Sequence, residues 1–187
     1  MAFDGITTYH LIGELDHTLK DGRIRKIYQP EKDEIRLLIN CGAGNVTLLL
    51  SVNANNPRAA LTEKKKSNPE TPPSFCMVLR KHILNGTIIN VRQHQSDRVL
   101  ILDITSKNEF NEQEIKSLIV EIMGRNSNII LTHVPQSPEA SPVIIDSLKK
   151  VGSSSSRYRQ ILPGLMYKTP PEKDRLNFFT CNTPEAF

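Results

Sequence analysis

Short runs of Ile, Leu and Val separated by Gly, Asn, Asp, Ser and Pro recur through the chain, at about 23–28, 34–40, 46–52, 87–93, 98–105, 117–123, 128–132 and 143–148. Runs this short, rich in β-branched residues and bounded by turn formers, do not make a helical bundle. They require sheet, so the expected fold class is α+β and mostly β. The runs at 34–40 and 46–52 flank Cys41-Gly42-Ala43-Gly44-Asn45, which predicts a hairpin. This G-x-G lacks the third glycine and the following helix of a dinucleotide site.

Two segments carry helical spacing instead. Ile6, Tyr9, Ile12, Leu15 and Leu19 recur every three to four residues before Gly22 stops the pattern, and Asp4 is placed to cap its start. After Pro72-Pro73, Ser74 is placed to cap a short helix whose Phe75, Val78, Leu79 and Ile83 share a face, and Gly86 closes it. Residues 53–73 read as a polar, proline-bearing connection with the basic triplet Lys64-Lys65-Lys66. Ser153 to Ser156 form a small low-complexity loop, and the tail from Pro163 reads as extended packing or linker. No internal repeat is visible. A length of 187 residues suits one domain with one core.

The composition excludes several classes. With 38% hydrophobic and 24% charged residues the chain folds as a globular domain. No apolar run reaches the roughly 18 residues of a membrane span, and the start lacks a signal-peptide pattern, so the expected location is cytoplasmic with no membrane partner. Three scattered cysteines, Cys41, Cys76 and Cys181, indicate reduced thiols rather than a disulfide framework or a zinc site. There is no G-x-S-x-G, Walker or H-E-x-x-H motif, and the five histidines are dispersed, so neither catalysis nor a metal or cofactor is expected. A formal net charge of +4 is compatible with a phosphate-rich partner without demanding one.

Two turns collect the remaining chemistry. Asp97-Arg98 lies between two predicted strands, a place where a salt bridge at a turn is the ordinary structural role. Glu121-Ile122-Met123-Gly124-Arg125 leads into a Gly-Arg-Asn-Ser turn of a second predicted hairpin, again bringing an Arg and a carboxylate near a sheet edge.

These turns belong to a longer ordered set: Phe3-Asp4-Gly5-Ile6, Gly22-Arg23-Ile24, Lys26-Ile27-Tyr28-Gln29-Pro30, Leu48-Leu49-Leu50-Ser51, Phe75-Cys76-Met77, Leu79-Arg80-Lys81-His82, Asp97-Arg98, Glu121 to Arg125 and Leu162-Pro163-Gly164. The set resembles the NFACT N-terminal domain of the bacterial RqcH or fibronectin-binding protein A (FbpA) family, over residues 3 to about 177. The resemblance implies one domain over 1–177 and the start of a linker at 178–187, toward a helix-hairpin-helix region that longer members carry. It also implies a β-sandwich flanked by helices, similar to the N-terminal domain of MutM-type DNA glycosylases. Their catalytic N-terminal proline and glutamate are absent here, where the chain begins Met1-Ala2-Phe3.

The function implied is ribosome quality control. The partners are a large ribosomal subunit carrying a stalled nascent chain and peptidyl-tRNA, and tRNA, alanyl-tRNA in bacteria, recruited for C-terminal alanine tailing. The family's tRNA-recognition residues fall on Asp97 and Arg98, with Asp4 as an acidic neighbour, and on Glu121, Ile122 and Arg125. The family's older name implies a second partner, fibronectin or fibrinogen. Asn126 departs from the histidine most bacterial members carry in this turn, so no role is carried over to it.

Overall fold

A computed structural model of the chain describes residues 5–42, 44–95, 97–108, 110–135, 137, 140–156 and 158–171. Helix α1 (Gly5–Leu19) leads into strands β1 (Arg23–Glu31), β2 (Glu34–Cys41), β3 (Gly44–Ser51) and β4 (Arg58–Leu61). Helix α2 (Ser74–Ile83) leads into β5 (Thr87–Gln93), β6 (Val99–Lys107), β7 (Gln113–Glu121), β8 (Asn128–His133) and β9 (Val143–Ser147). The strands form one antiparallel sheet in the order β4-β3-β2-β1-β5-β6-β7-β8-β9. Each strand pairs with its sequence neighbour except at the centre, where β1 meets β5.

That central seam is short. One residue pair is in register, Arg23 with Thr87, flanked by main-chain bonds from Asp21 to Ile88, Ile88 to Gly22, Ile24 to Gly86 and Asn85 to Ile24. From the seam the two half-sheets run apart and fold over on each other in sandwich fashion. Ile35, Leu37, Leu48 and Leu50 of the first half share one buried core with Leu100, Leu102, Leu118 and Leu131 of the second. The halves meet again at the opposite end, where Lys149 Nζ donates to the Val52 carbonyl at 2.8 Å.

The helices complete this core. Ile12, Leu15 and Leu19 of α1 and Phe75, Leu79 and Ile83 of α2 are buried in it, as their spacing predicts, together with Cys76, whereas Val78 is only partly buried and Tyr9 stays half-exposed. Arg80 reaches from α2 to the Ile27 carbonyl at 2.8 and 3.0 Å, satisfying a strand edge that has no strand beside it. A second, smaller cluster covers the outer face of β6–β9, where Val99, Ile101, Ile119, Ile130 and Ile144 pack under Ile161 and Tyr167 of the extended tail.

The structure shows a repeat that the sequence reading missed. Each half is a helix, a residue at φ 63° (Asp21 or Asn85), a glycine (Gly22 or Gly86) and a meander of strands. Both first strands carry an irregularity at the same step, Ile24/Lys26 and Ile88/Asn90. Each third strand is followed at once by a residue whose N–H donates to the turn between the first two strands, Val52 to Asp33 and Ile122 to Arg98. The seam bonds are reciprocal under this exchange, which is the signature of a pseudo-two-fold axis.

Two local expectations are corrected. Pro73, extended at φ −60° and ψ 157°, is the N-cap of α2 and makes no side-chain bond, so Ser74 is already the first helical residue. Proline fixes the turn into the helix without a capping hydroxyl. The connection at 53–73 contains β4, because Arg58-Ala59-Ala60-Leu61 finds the open edge of β3. The capping role expected of Asp4 lies outside the described residues.

Candidate nucleic-acid interface

The turns that carry the candidate residues lie side by side at the end of the molecule where the halves meet. Between β5 and β6, the Asp97 N–H donates to the His94 carbonyl at 3.0 Å and Gln93 Nε2 donates to the Asp97 carbonyl at 2.8 Å. This pins the main chain and leaves the side chains of Asp97 and Arg98 partly exposed. Between β7 and β8, residues Gly124–Asn126 form a 3-10 turn closed by Ser127, whose Oγ accepts from the Met123 N–H at 2.8 Å. Arg125 stands exposed on that turn.

The two turns are fastened to each other. Val99 and Glu121 are register partners in β6 and β7, and the Ile122 N–H donates to the Arg98 carbonyl at 2.9 Å. Asp97, Arg98 and Arg125 are therefore held on one rim as a carboxylate and two guanidiniums. Helix α1 runs along β5. The Asp16 carboxylate accepts from the Val91 N–H at 2.6 Å, so the helix lies along β5 with its N-terminal, partially positive end directed toward the turn. Asp4 itself is outside the described residues.

Glu121 and Ile122 occupy a different place from the one expected. They lie at the end of an inner strand, Glu121 as its last residue and Ile122 just beyond, rather than near an exposed edge, and both are buried, Glu121 at 0% exposure and Ile122 at 1%. A buried carboxylate has to be paired. Arg159 grips it with both terminal nitrogens, one at 2.9 Å, and the Tyr167 hydroxyl donates to it at 2.8 Å. Arg159 also donates through Nε to the Lys168 carbonyl at 2.6 Å and stacks over the Tyr167 ring at 5.2 Å. Burial works against the Arg159 charge, but the Glu121 carboxylate outweighs it and raises the guanidinium above its ordinary range. Burial, reinforced by that carboxylate, pushes the Tyr167 hydroxyl well up. The node ties the tail to the floor of the rim.

The residue spacing drew attention to neither Arg159 nor Tyr167, which lie far from Glu121 along the chain; the neighbouring Leu162-Pro163-Gly164 block is the one sequence signal beside them. Lys149 was also missed. Its Nζ bridges the half-sheets beside the rim, while its own N–H donates to Asn128 Oδ1 at 2.9 Å. Among the described residues no cluster of His, Cys, Asp and Glu suits a metal ion, and no helix is long and apolar enough to cross a membrane.

Over residues 4–187 the chain matches the family described as NFACT N-terminal and middle domains. It is 44% identical over 177 residues to the Rqc2 homolog RqcH of Bacillus subtilis, covering 95% of this chain and 30% of that protein. It is 40% identical over 187 residues to the Rqc2 homolog RqcH of Streptococcus suis, covering 100% of this chain and 33% of that protein. The chain thus spans about a third of the length of the curated relatives it matches. Among solved structures, the N-terminal part of the fibronectin/fibrinogen-binding protein from Streptococcus suis superposes with a TM-score of 0.88 at 40% identity, over 96% of this chain and 65% of that one. The N-terminal domain of the fibronectin-binding protein PavA from Streptococcus pneumoniae gives 0.87 at 38% identity, over 96% and 65% of the two chains. With the sheet order, the paired turns and these likenesses together, the chain belongs to the NFACT N-terminal family.

Proposed function

We propose that this chain is the tRNA-recognition module of a ribosome quality control protein. It acts with a large ribosomal subunit that carries a stalled nascent chain and peptidyl-tRNA, and it recruits tRNA for C-terminal alanine tailing in the cytoplasm. One observation supports this above the others: Asp97, Arg98 and Arg125 stand on two turns that are hydrogen-bonded to each other on a rigid sheet end. Guanidiniums at such a rim grip phosphate or stack on an unpaired base, and the carboxylate accepts from base amino groups or ribose hydroxyls. Glu121 and Ile122 serve by holding the second turn in place. The role is binding, and no chemical step is assigned to the chain.

Retention of labelled tRNA tests the assignment. Arg98→Ala with Arg125→Ala is expected to weaken binding and to lower the slope of log affinity against log salt by about one per lost phosphate contact. Unchanged affinity in a folded double variant overturns it.

A second function is favoured by the solved relatives, which are described as fibronectin- or fibrinogen-binding proteins. Surface plasmon resonance against immobilised fibronectin separates the two: micromolar or tighter binding together with indifference to tRNA favours the adhesin.

A further inference from the structure

The internal duplication gives the candidate rim a counterpart. Under the exchange of halves, Asp33 takes the place of Arg98 and Val52 that of Ile122, joined by the same bond, from the Val52 N–H to the Asp33 carbonyl at 2.8 Å. Ser51, which pairs with Glu34, takes the place of Glu121, which pairs with Val99. The equivalent of the Asp97-Arg98 dipeptide is Lys32-Asp33, a cation beside a carboxylate in the reverse order at the tip of the first hairpin. At that position the surface opens into a cleft of about 510 Å³, between the β1–β2 turn and the β3–β4 connection.

We propose that this cleft is a second polynucleotide site, equivalent to the first by the pseudo-two-fold, and that it takes the phosphodiester backbone of RNA. The assignment rests on the RNA reading of the Asp97-Arg98 rim. Its chemistry follows from which charges are already engaged. Glu34 is held by Arg36 at 2.7 Å and by Lys66 at 3.2 Å, and Lys66 also holds Glu31 at 3.2 Å. The Asp33 carboxylate accepts from Asn53 Nδ2 at 2.7 Å. Glu31 and Glu34 are therefore paired with cations, while Asp33 is held by a neutral amide, so that Lys32, Arg36, Arg58 and Lys66 outnumber the three carboxylates by one. Lys32, exposed, and Arg58, partly exposed and bonded through Nη1 to the Asn56 carbonyl at 3.5 Å, are in no ion pair among the described residues and are the cations that meet the anion.

The two sites share one end of the molecule. Lys149 joins them, bonded through Nζ to the carbonyl of Val52, whose N–H holds Asp33 of the cleft, and through its N–H to Asn128 at the end of the other turn. A single strand of RNA running along this end meets cations of both halves in succession.

The test is a salt titration of labelled tRNA binding to the 187-residue chain, comparing Lys32→Ala/Arg58→Ala with Arg98→Ala/Arg125→Ala. The cleft pair is expected to lose roughly tenfold or more in affinity with a salt slope smaller by about two. The melting temperature is expected to hold, and Arg58→Lys to retain most of the affinity. Wild-type binding by the cleft pair, while the rim pair binds weakly, overturns this inference and leaves the rim standing. Loss of affinity at an unchanged slope also overturns it, because no phosphate contact was removed. If the rim pair binds as wild type and the cleft pair does not, the rim assignment fails while the cleft stands. Absence of tRNA binding by the wild type overturns both.

Discussion

Gly22 and Gly86 have no room for a methyl group. A Cβ at Gly86 would lie 2.7 Å from Ile104 Cγ2 and 3.0 Å from the carbonyl oxygens of Ile83 and Thr105, and one at Gly22 would lie 2.7 Å from both Ile39 Cγ2 and the Leu19 carbonyl oxygen. Gly13, in the middle of α1, has nothing within 4 Å of its Cβ position. Gly86→Ala is expected to destabilise the fold by about 1–3 kcal/mol through overpacking against main chain. Gly13→Ala is expected to stabilise it by about 0.5–1 kcal/mol through helix propensity. Urea denaturation of the two variants checks both signs, and equal midpoints would show that the close approach at Gly86 relaxes freely.

At the level of elements, the C-terminal turn of α2 meets the start of β7 and the end of β8 in a titratable cluster. Lys116, 1% exposed, is bonded to Glu114, to Ser106 Oγ at 3.2 Å and to the His82 carbonyl at 3.4 Å. The ring of His133 lies edge-on to His82 at 6.4 Å, and its Nδ1 is 3.6 Å from Glu114. Burial lowers the His82 pKa, and the positive charges of Lys116 and Lys81 lower it further, with His133 adding to them and Glu114 opposing. A histidine harder to protonate when folded costs nothing above its ordinary value of 6.5, and it withdraws stability as the pH falls below that value toward the folded pKa. The melting temperature is expected to drop on acidification through this window, and less so in His82→Asn. Parallel profiles for the two proteins would assign the pH dependence elsewhere.

The strands of this region were legible in the sequence because each buries one or both faces, and the apolar runs record that burial directly. Strand β4 was not, since four residues on an open edge carry too little pattern. The rim was legible as two charged turns, but the pairing of Glu121 with Arg159 and Tyr167 is made by the tail crossing the sheet, which no spacing rule encodes. The duplication was hidden for a similar reason. Leu19-Lys20-Asp21-Gly22-Arg23-Ile24 and Ile83-Leu84-Asn85-Gly86-Thr87-Ile88 share one identical glycine and one identical isoleucine, are alike in kind only at Leu19/Ile83 and Asp21/Asn85, and differ at the other two positions.

Across the described residues, main-chain hydrogen bonds join the halves along the brief seam, and side chains add to them through the common core, Asp16, Arg23, Arg80 and Lys149. Lys149 is half-buried and its pKa is lowered by that burial, with Asp33 opposing, so its bond to Val52 holds a partly desolvated ammonium. Reciprocity at the seam has a further consequence for assembly. Each main-chain bond of the seam has its counterpart under the exchange of halves, so a polypeptide holding only α2 through β9, residues 74–148, presents a main-chain edge complementary to itself. Such a half-chain is expected to form an isologous homodimer, with Gly86 of each copy accepting from Ile88 of the other. Sedimentation equilibrium would reveal it as a mass twice that of the monomer, and a folded monomer would mean that the two halves have diverged too far to stand in for one another.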